Sequence, residues 1–269
     1  MTAGAGEPLV QVRGAHKSYG AVHALRGADL EVGEGEIVAL LGDNGAGKST
    51  LIKALAGVHE LDEGEILVAG EPVALRSPGD ARAAGIETLH QDLALFDNLS
   101  ALANFFIGRE LRRPRRLGRI ALLDERAMAR EWEQRLARLK LRLPDARLDV
   151  GVLSGGQRQA IAVMRAVAFA GRLVILDEPT AALGVRESGE VLRLVRRLPE
   201  QGIAVLLVSH NLEHVAQVAD RAVVLRQGRI AGEAVPTPDN QEALVSMIVG
   251  AASADAPHEG RERQEEGSR

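Results

Sequence analysis

"IVALLGDNGAGKST", residues 37–50, decides the fold of this chain. Five apolar residues, Ile37 to Leu41, run without a break into a glycine-rich turn. Unbroken apolarity over that length predicts a strand buried on both faces, as in a parallel sheet. The turn has the spacing Gly42-x4-Gly47-Lys48-Ser49, the P-loop pattern, and residues 49–56 after it read as a helix closed by Gly57. Glycines let successive backbone N–H groups converge on phosphate oxygens, and the helix N-terminus adds a favourable dipole. Gly42, Asp43, Asn44, Gly45, Ala46, Gly47, Lys48, Ser49 and Thr50 are therefore the candidate phosphate cradle. Lys48 is expected to reach the β- and γ-phosphates, and the Ser49 hydroxyl to ligate Mg²⁺.

Two further apolar runs continue the pattern. "LVILDEPT" brings Asp177 to the carboxyl end of a buried strand, where a metal beside the phosphates would sit, and Glu178 follows, placed to polarise an attacking water. "IAVLLVSH" ends on His210, whose strand is expected to neighbour that of Asp177, bringing its ring to the same γ-phosphate. A solvated strand end is the plainer reading of paired carboxylates, but four apolar residues before them and Pro179 after disfavour it. The other histidines, at 16, 23, 59, 90, 214 and 258, read as structural or surface groups. Strands alternating with helices imply parallel βαβ units and an α/β fold.

A second glycine-rich turn, "LSGGQ" at residues 153–157, opens the amphipathic segment "LSGGQRQAIAVMRAVAFAG". Ser154 and Gln157 have capping-box spacing, and Ile161, Met164, Val167 and Ala168 share a face. Ser154, Gly155 and Gly156 thus form another helix N-terminus with bare backbone donors, a second anion site. One nucleotide needs one cradle, and a helical insertion separates the two turns in the chain. Two copies placed head-to-tail, each LSGGQ closing over the other's nucleotide, resolve the geometry.

Around these motifs, residues 9–41 alternate apolar and polar between glycines, predicting an antiparallel β start, and "GEILVAGEPVAL" reads as a hairpin. Residues 99–107 are apolar at helical spacing. In "LLDERAMAREWEQRLARLKLRL", Asp124 is the expected N-cap and Ala129, Trp132, Leu136 and Leu139 the buried stripe, with Trp132 a packing anchor. A helix in the last third is expected to bury Val191, Leu194, Val195 and Leu198. The polar tail, residues 251–269, is expected to be disordered. A net charge of −4 argues against nucleic-acid binding through a basic face, and the lack of cysteine excludes disulfides, thiolate metal sites and Cys nucleophiles. No signal peptide or apolar span of about 18 residues is read. The basic run Arg112 to Arg119 reads as a solvated loop, or alternatively as a face toward anionic lipid headgroups.

The P-loop, Gln91, LSGGQ, LVILDE and His210, in this order and spacing, resemble the nucleotide-binding subunit of ATP-binding cassette (ABC) transporters. The resemblance covers about residues 10–250. "GDNGAGKSTLIKALAG", "GIETLHQDLALFDNLSALANFFIGREL" and "DEPTAALGV" are similar to the ribose, xylose and fructose importers, in a single-cassette version. It implies a P-loop NTPase (RecA-like) core with an N-terminal antiparallel β subdomain and a helical insertion at about 93–152, in an ATPase domain spanning 9–250. It implies that Tyr19 stacks on adenine, that residues 42–50 hold the phosphates of ATP, and that Gln91 touches Mg²⁺ and relays to the permease. Ser154, Gly155 and Gly156 would bind the opposing γ-phosphate, with Gln157 completing that turn. Asp177 would hold Mg²⁺ through water, Glu178 would be the general base and His210 the γ-phosphate switch. The implied partners are a transmembrane permease, a second copy of the cassette and, indirectly, an extracytoplasmic sugar-binding protein, with the chain on the cytoplasmic face of the membrane. One departure stands out: Gly184 occupies a position where most cassettes carry Asp, which puts the usual contact between subunits in doubt. Rival readings are a cassette for another small solute, a non-transport ABC ATPase and a metabolic kinase, the last leaving LSGGQ without a use. Too little chain follows Gly250 for the regulatory domain of the maltose-type importers.

Overall fold

A computed structural model describes residues 7–90, 93–113, 122–139, 143, 145–181 and 183–250. In chain order the first half runs β1 (Val10–Tyr19), β2 (Val22–Val32), β3 (Ile37–Leu41), α1 (Lys48–Leu55), β4 (Glu63–Val68), β5 (Glu71–Pro72), α2 (Pro78–Ala83), β6 (Ile86–Leu89), α3 (Ala101–Phe106), β7 (Arg112–Arg113), β8 (Leu122–Leu123) and α4 (Glu125–Leu139). The second half runs α5 (Gly155–Phe169), β9 (Leu173–Asp177), α6 (Val185–Val195), β10 (Ala204–Val208), α7 (Leu212–Val218), β11 (Arg221–Arg226), β12 (Arg229–Ala234) and α8 (Gln241–Val249).

The strands form two main sheets. The first has the order β2-β1-β4-β5 and is antiparallel, with Val10 opposite both Val32 and Val68. The second has the order β12-β11-β3-β10-β9-β6, parallel except for β12. This is the α/β core with an antiparallel β start that the motif pattern predicts. β10 lies between β3 and β9 and sets Val208 opposite Asp177, so the three loops at residues 42–50, 177–180 and 209–211 leave the same edge. In a parallel sheet that carboxyl edge is where ligands bind.

The central sheet is buried on both faces, and side chains alternate between them. Val38 and Leu40 of β3, with Leu173 and Ile175 of β9 and Leu206 of β10, pack against Leu51, Ile52 and Leu55 of α1 and the inner face of the antiparallel sheet. Ile37, Val174, Leu176, Val205 and Leu207 point the other way, against Ile161, Met164 and Val167 of α5 and Val191, Leu194 and Val195 of α6. Ala39 and Leu41 extend that second face toward Val215 of α7 and Leu244 of α8. α1 and α5 therefore cover opposite faces of one sheet.

The helical middle is built on aromatic packing. Phe105, fully buried, meets Phe106 at 4.8 Å, Phe169 at 5.1 Å and Trp132 edge-on at 5.3 Å. Trp132 is thus a core anchor, and Asp124 caps α4 by accepting the Ala127 N–H at 3.0 Å. Two details differ from the periodicity reading. Met128 rather than Ala129 is buried with Trp132 and Leu139, and Leu136 is partly buried beside them, since Met128 lies one turn before Trp132 on the same face. The helix expected over 99–107 is shorter, since the Ser100 hydroxyl accepts the Ala103 N–H and starts it at Ala101. Residues 114–119 of the basic run, Gln91 and the 251–269 tail lie outside the described residues. Among the described residues no helix is long and apolar enough to cross a membrane.

Candidate nucleotide site

The phosphate loop is shaped by backbone that only glycine tolerates. Gly42 has φ +147°, and a Cβ on it would lie 2.2 Å from the Leu225 carbonyl oxygen of the neighbouring strand. Gly47, at φ +111°, starts α1 with no side-chain cap, which leaves its first N–H groups free of a side-chain partner. Gly42→Ala is expected to cost about 2 kcal/mol through overpacking and the left-handed backbone, read as a lowered Tm together with lost nucleotide binding. A Tm equal to that of the unaltered chain would show that the loop relaxes. Lys48 donates from Nζ to the carbonyl oxygens of Gly42 at 2.6 Å and Asp43 at 3.0 Å, so its ammonium is folded back onto the loop.

Beside the loop stand the carboxylates. Asp177 ends β9, partly buried, and its carboxyl is pushed above the usual carboxylate range first by burial and then by the Glu178 carboxylate. His90, Lys48 and Lys53 pull it the other way. Such a crowded pair next to a lysine fits a divalent cation. No group of three His, Cys, Asp or Glu side chains that could hold a metal occurs among the described residues. The set present, one carboxylate and a hydroxyl beside a phosphate cradle, suits Mg²⁺, which keeps waters and takes substrate phosphates as ligands.

Glu178 has φ +51°, left-handed backbone in a side chain that avoids it at a cost of about 1–2 kcal/mol. Its N–H donates to the Val208 carbonyl at 2.9 Å, and its Oε1 meets Nδ1 of His210 at 2.8 Å. The carboxylate is mostly covered while the histidine ring is largely exposed. A covered carboxylate held by an imidazole at the sheet edge has the geometry of a general base and its orienter. Tyr19 ends β1 half-exposed, edge-on to His59 at 5.8 Å.

Ser154 caps α5 through both arms of a capping box, with Gln157 N–H to Ser154 Oγ at 3.3 Å and Ser154 N–H to Gln157 Oε1 at 3.0 Å. Gly155 is exposed and Gly156 is packed so closely on Glu187 that a Cβ would lie 2.7 Å from its Cγ. The structure brings Lys48, Asp177, Glu178 and His210 together at one edge. It sets α5, the helix that the Ser154–Gly156 turn opens, on the face of the sheet opposite α1.

Sequence reasoning missed four residues. Gln159 is buried and donates from Nε2 to the Pro179 carbonyl at 2.8 Å, tying α5 to the loop after Glu178. A polar residue among the buried positions of α5 was the available signal. Buried Thr180 meets Nδ1 of His214 at 3.0 Å. His90, read as structural or surface, acts electrostatically on Asp177. Arg165 is tied to three backbone carbonyls.

Residues 25–181 match the family model described as ABC transporter. The chain is 45% identical over 240 residues to the xylose/arabinose import ATP-binding protein of Sulfolobus acidocaldarius, covering 89% of this chain and 93% of that one. It is 46% identical over 247 residues to the fructose import ATP-binding protein of Rhizobium meliloti, covering 91% and 95%. A solved dimeric bacterial ABC transporter cassette superposes with a TM-score of 0.70 at 25% identity, covering 85% of this chain and 99% of that one. With the family model spanning more than half of its length and these relatives aligned almost end to end, the chain belongs to the ABC transporter family.

Proposed function

We propose that this chain is the ATP-binding and ATP-hydrolysing subunit of an importer for a monosaccharide. The observation that carries the chemistry is the Glu178–His210 pair, 2.8 Å apart, on the same sheet edge as Asp177 and Lys48. The sugar assignment is supported by identity of 45–46% to xylose/arabinose and fructose import proteins over nearly the whole of each chain.

In this reading the loop at 42–50 holds the phosphates of ATP, Lys48 exchanging its carbonyl partners for phosphate oxygens, while Tyr19 stacks on adenine. Ser49, and Asp177 through water, with Gln91 as the ligand that the resemblance adds, would hold Mg²⁺, which would supply positive charge to neutralise the phosphates. Glu178 takes a proton from a water as its oxygen bonds to the γ-phosphorus, and the bond to the bridging oxygen breaks with its electron pair leaving on ADP. His210 keeps the Glu178 carboxylate turned toward that water. A partner copy brings its Ser154, Gly155 and Gly156 N–H groups, with Gln157 bracing the turn, to the γ-phosphate. Closure and release of the pair drive a transmembrane permease, fed by an extracytoplasmic sugar-binding protein, from the cytoplasmic face of the membrane. The working domain is residues 9–250, with a helical subdomain at about 93–152.

Uptake of a panel of labelled monosaccharides tests this, comparing cells that carry the unaltered chain with cells that carry Glu178→Gln. Loss of one sugar is expected and would name the substrate. Unchanged uptake of every sugar, with the purified ATPase active, would remove the sugar assignment.

A further inference from the structure

Arg165 sits in the middle of α5, within the otherwise apolar segment Ile161 to Phe169. Its guanidinium is withdrawn from water, which pushes its pKa below the usual arginine range. Among the described residues it makes no ion pair, because Glu87, the carboxylate that acts on it, is held by Arg109 at 2.6 Å. A cation so placed is unfavourable unless its donors are answered. They are answered by main chain: Nη2 donates to the Leu93 carbonyl at 2.8 Å, and Nη1 donates to those of Ala94 at 3.1 Å and Asn104 at 3.4 Å.

The segment so held is unusual in itself. Ala94 has φ +46°, a left-handed conformation that alanine resists. Downstream, fully buried Asn104 accepts the Phe96 N–H at 2.7 Å and donates to the carbonyls of Phe96, Leu99 and Ser100. Arg158, seven residues before Arg165 and so on the same face of α5, reaches Asp97 at 3.6 Å. A methionine or leucine at 165 would serve packing alone and avoid the partly buried charge. The planar guanidinium fork reaches three carbonyls at once in a fixed geometry.

We propose that Arg165 is a positioning residue that clamps Leu93 and Ala94, two and three residues after Gln91, onto the helix whose N-terminus is the Ser154–Gly156 turn. The two segments then move as one piece, and Ala94 is kept in its left-handed conformation by the clamp. The inference rests on the function proposed above. It assigns to this chain a route by which a shift of the α5 N-terminus reaches the Gln91 segment of the same subunit. The clamp touches neither phosphate nor water, so it acts on turnover through placement, and misplacement by about an ångström costs up to about a hundredfold in rate.

The test uses the full chain with Arg165→Met, Arg165→Lys, Ala94→Gly and the Arg165→Met/Ala94→Gly double variant. Arg165→Met is expected to lower kcat about tenfold or more, with nucleotide Kd within about twofold. Amide exchange at Phe96 and Leu99 is expected to rise at least tenfold while β9 stays protected. Glycine at 94 adopts the left-handed backbone freely, so the double variant is expected to recover at least about threefold in kcat, with Ala94→Gly alone near the unaltered value. If Arg165→Met does not fold, Arg165→Lys serves in its place. Unchanged kcat and exchange would overturn the clamp, as would a kcat and Kd lost together with no recovery from glycine. If the unaltered chain hydrolyses no ATP the proposed function falls instead, and the exchange at residues 93–100 alone decides the clamp.

Discussion

Glu178→Gln is expected to cut ATP turnover by about 10²–10⁴-fold, the usual contribution of a positioned general base, while nucleotide affinity stays within about threefold. The substitution keeps the shape of the side chain, and an amide oxygen still meets Nδ1 of His210 at the 2.8 Å position of Oε1. The backbone at φ +51° is no worse for Gln than for Glu, and the main-chain bond to Val208 is untouched. What disappears is the ability to accept a proton from water. A steady-state ATPase assay beside a nucleotide titration separates the two quantities. Hydrolysis at the unaltered rate would place the base elsewhere. Loss of affinity in step with turnover would make Glu178 a structural residue of the loop.

The second large effect is expected at Ser154. Ser154→Arg should leave nucleotide binding by a single chain within about twofold and abolish the ATP-dependent dimer. Ser154 is exposed, and losing its cap on α5 costs about 1 kcal/mol, a few degrees of Tm. α1, which carries Lys48, lies on one face of the central sheet and α5 on the other, with β10 between their neighbouring strands β3 and β9. Strand spacing alone sets β3 and β9 roughly 10 Å apart. A bulky cation on the α5 turn is therefore expected to spare the nucleotide of its own chain and to obstruct that of a second copy. Size-exclusion chromatography with ATP, in the Glu178→Gln background, reads the result directly. A dimer that persists would remove the head-to-tail arrangement.

Much of the site was legible because its signals are local. The capping box at Ser154 and Gln157 and the carboxylates after "LVIL" depend on neighbours within a few residues, and the P-loop glycines are marked by their spacing, although the Leu225 carbonyl that excludes a Cβ at Gly42 is not. Long-range polar partnerships were not legible. Gln159 with Pro179, Thr180 with His214, and Arg165 with the carbonyls of residues 93, 94 and 104 join positions 20 to 72 residues apart. An arginine in an apolar helix announces that something answers it, and periodicity does not say what. Gly184 is a related case. Its place next to Glu187, whose Oε2 would lie 2.7 Å from a Cβ there, follows from the packing of the first turn of α6 and from no motif.

By itself the sequence determined that this chain holds two glycine-rich helix N-termini, a buried parallel sheet and a carboxylate pair at its edge. Capping chemistry, glycine dihedrals and unbroken apolar runs are properties of short segments. The tertiary structure alone decided that the two helices they open lie on opposite faces of that sheet. "IVALL" and "LVILD" are apolar at nearly every position, so they bury both faces and carry no mark of which helix covers which. That choice is made by the strand order and the crossovers, which no short segment of the chain records.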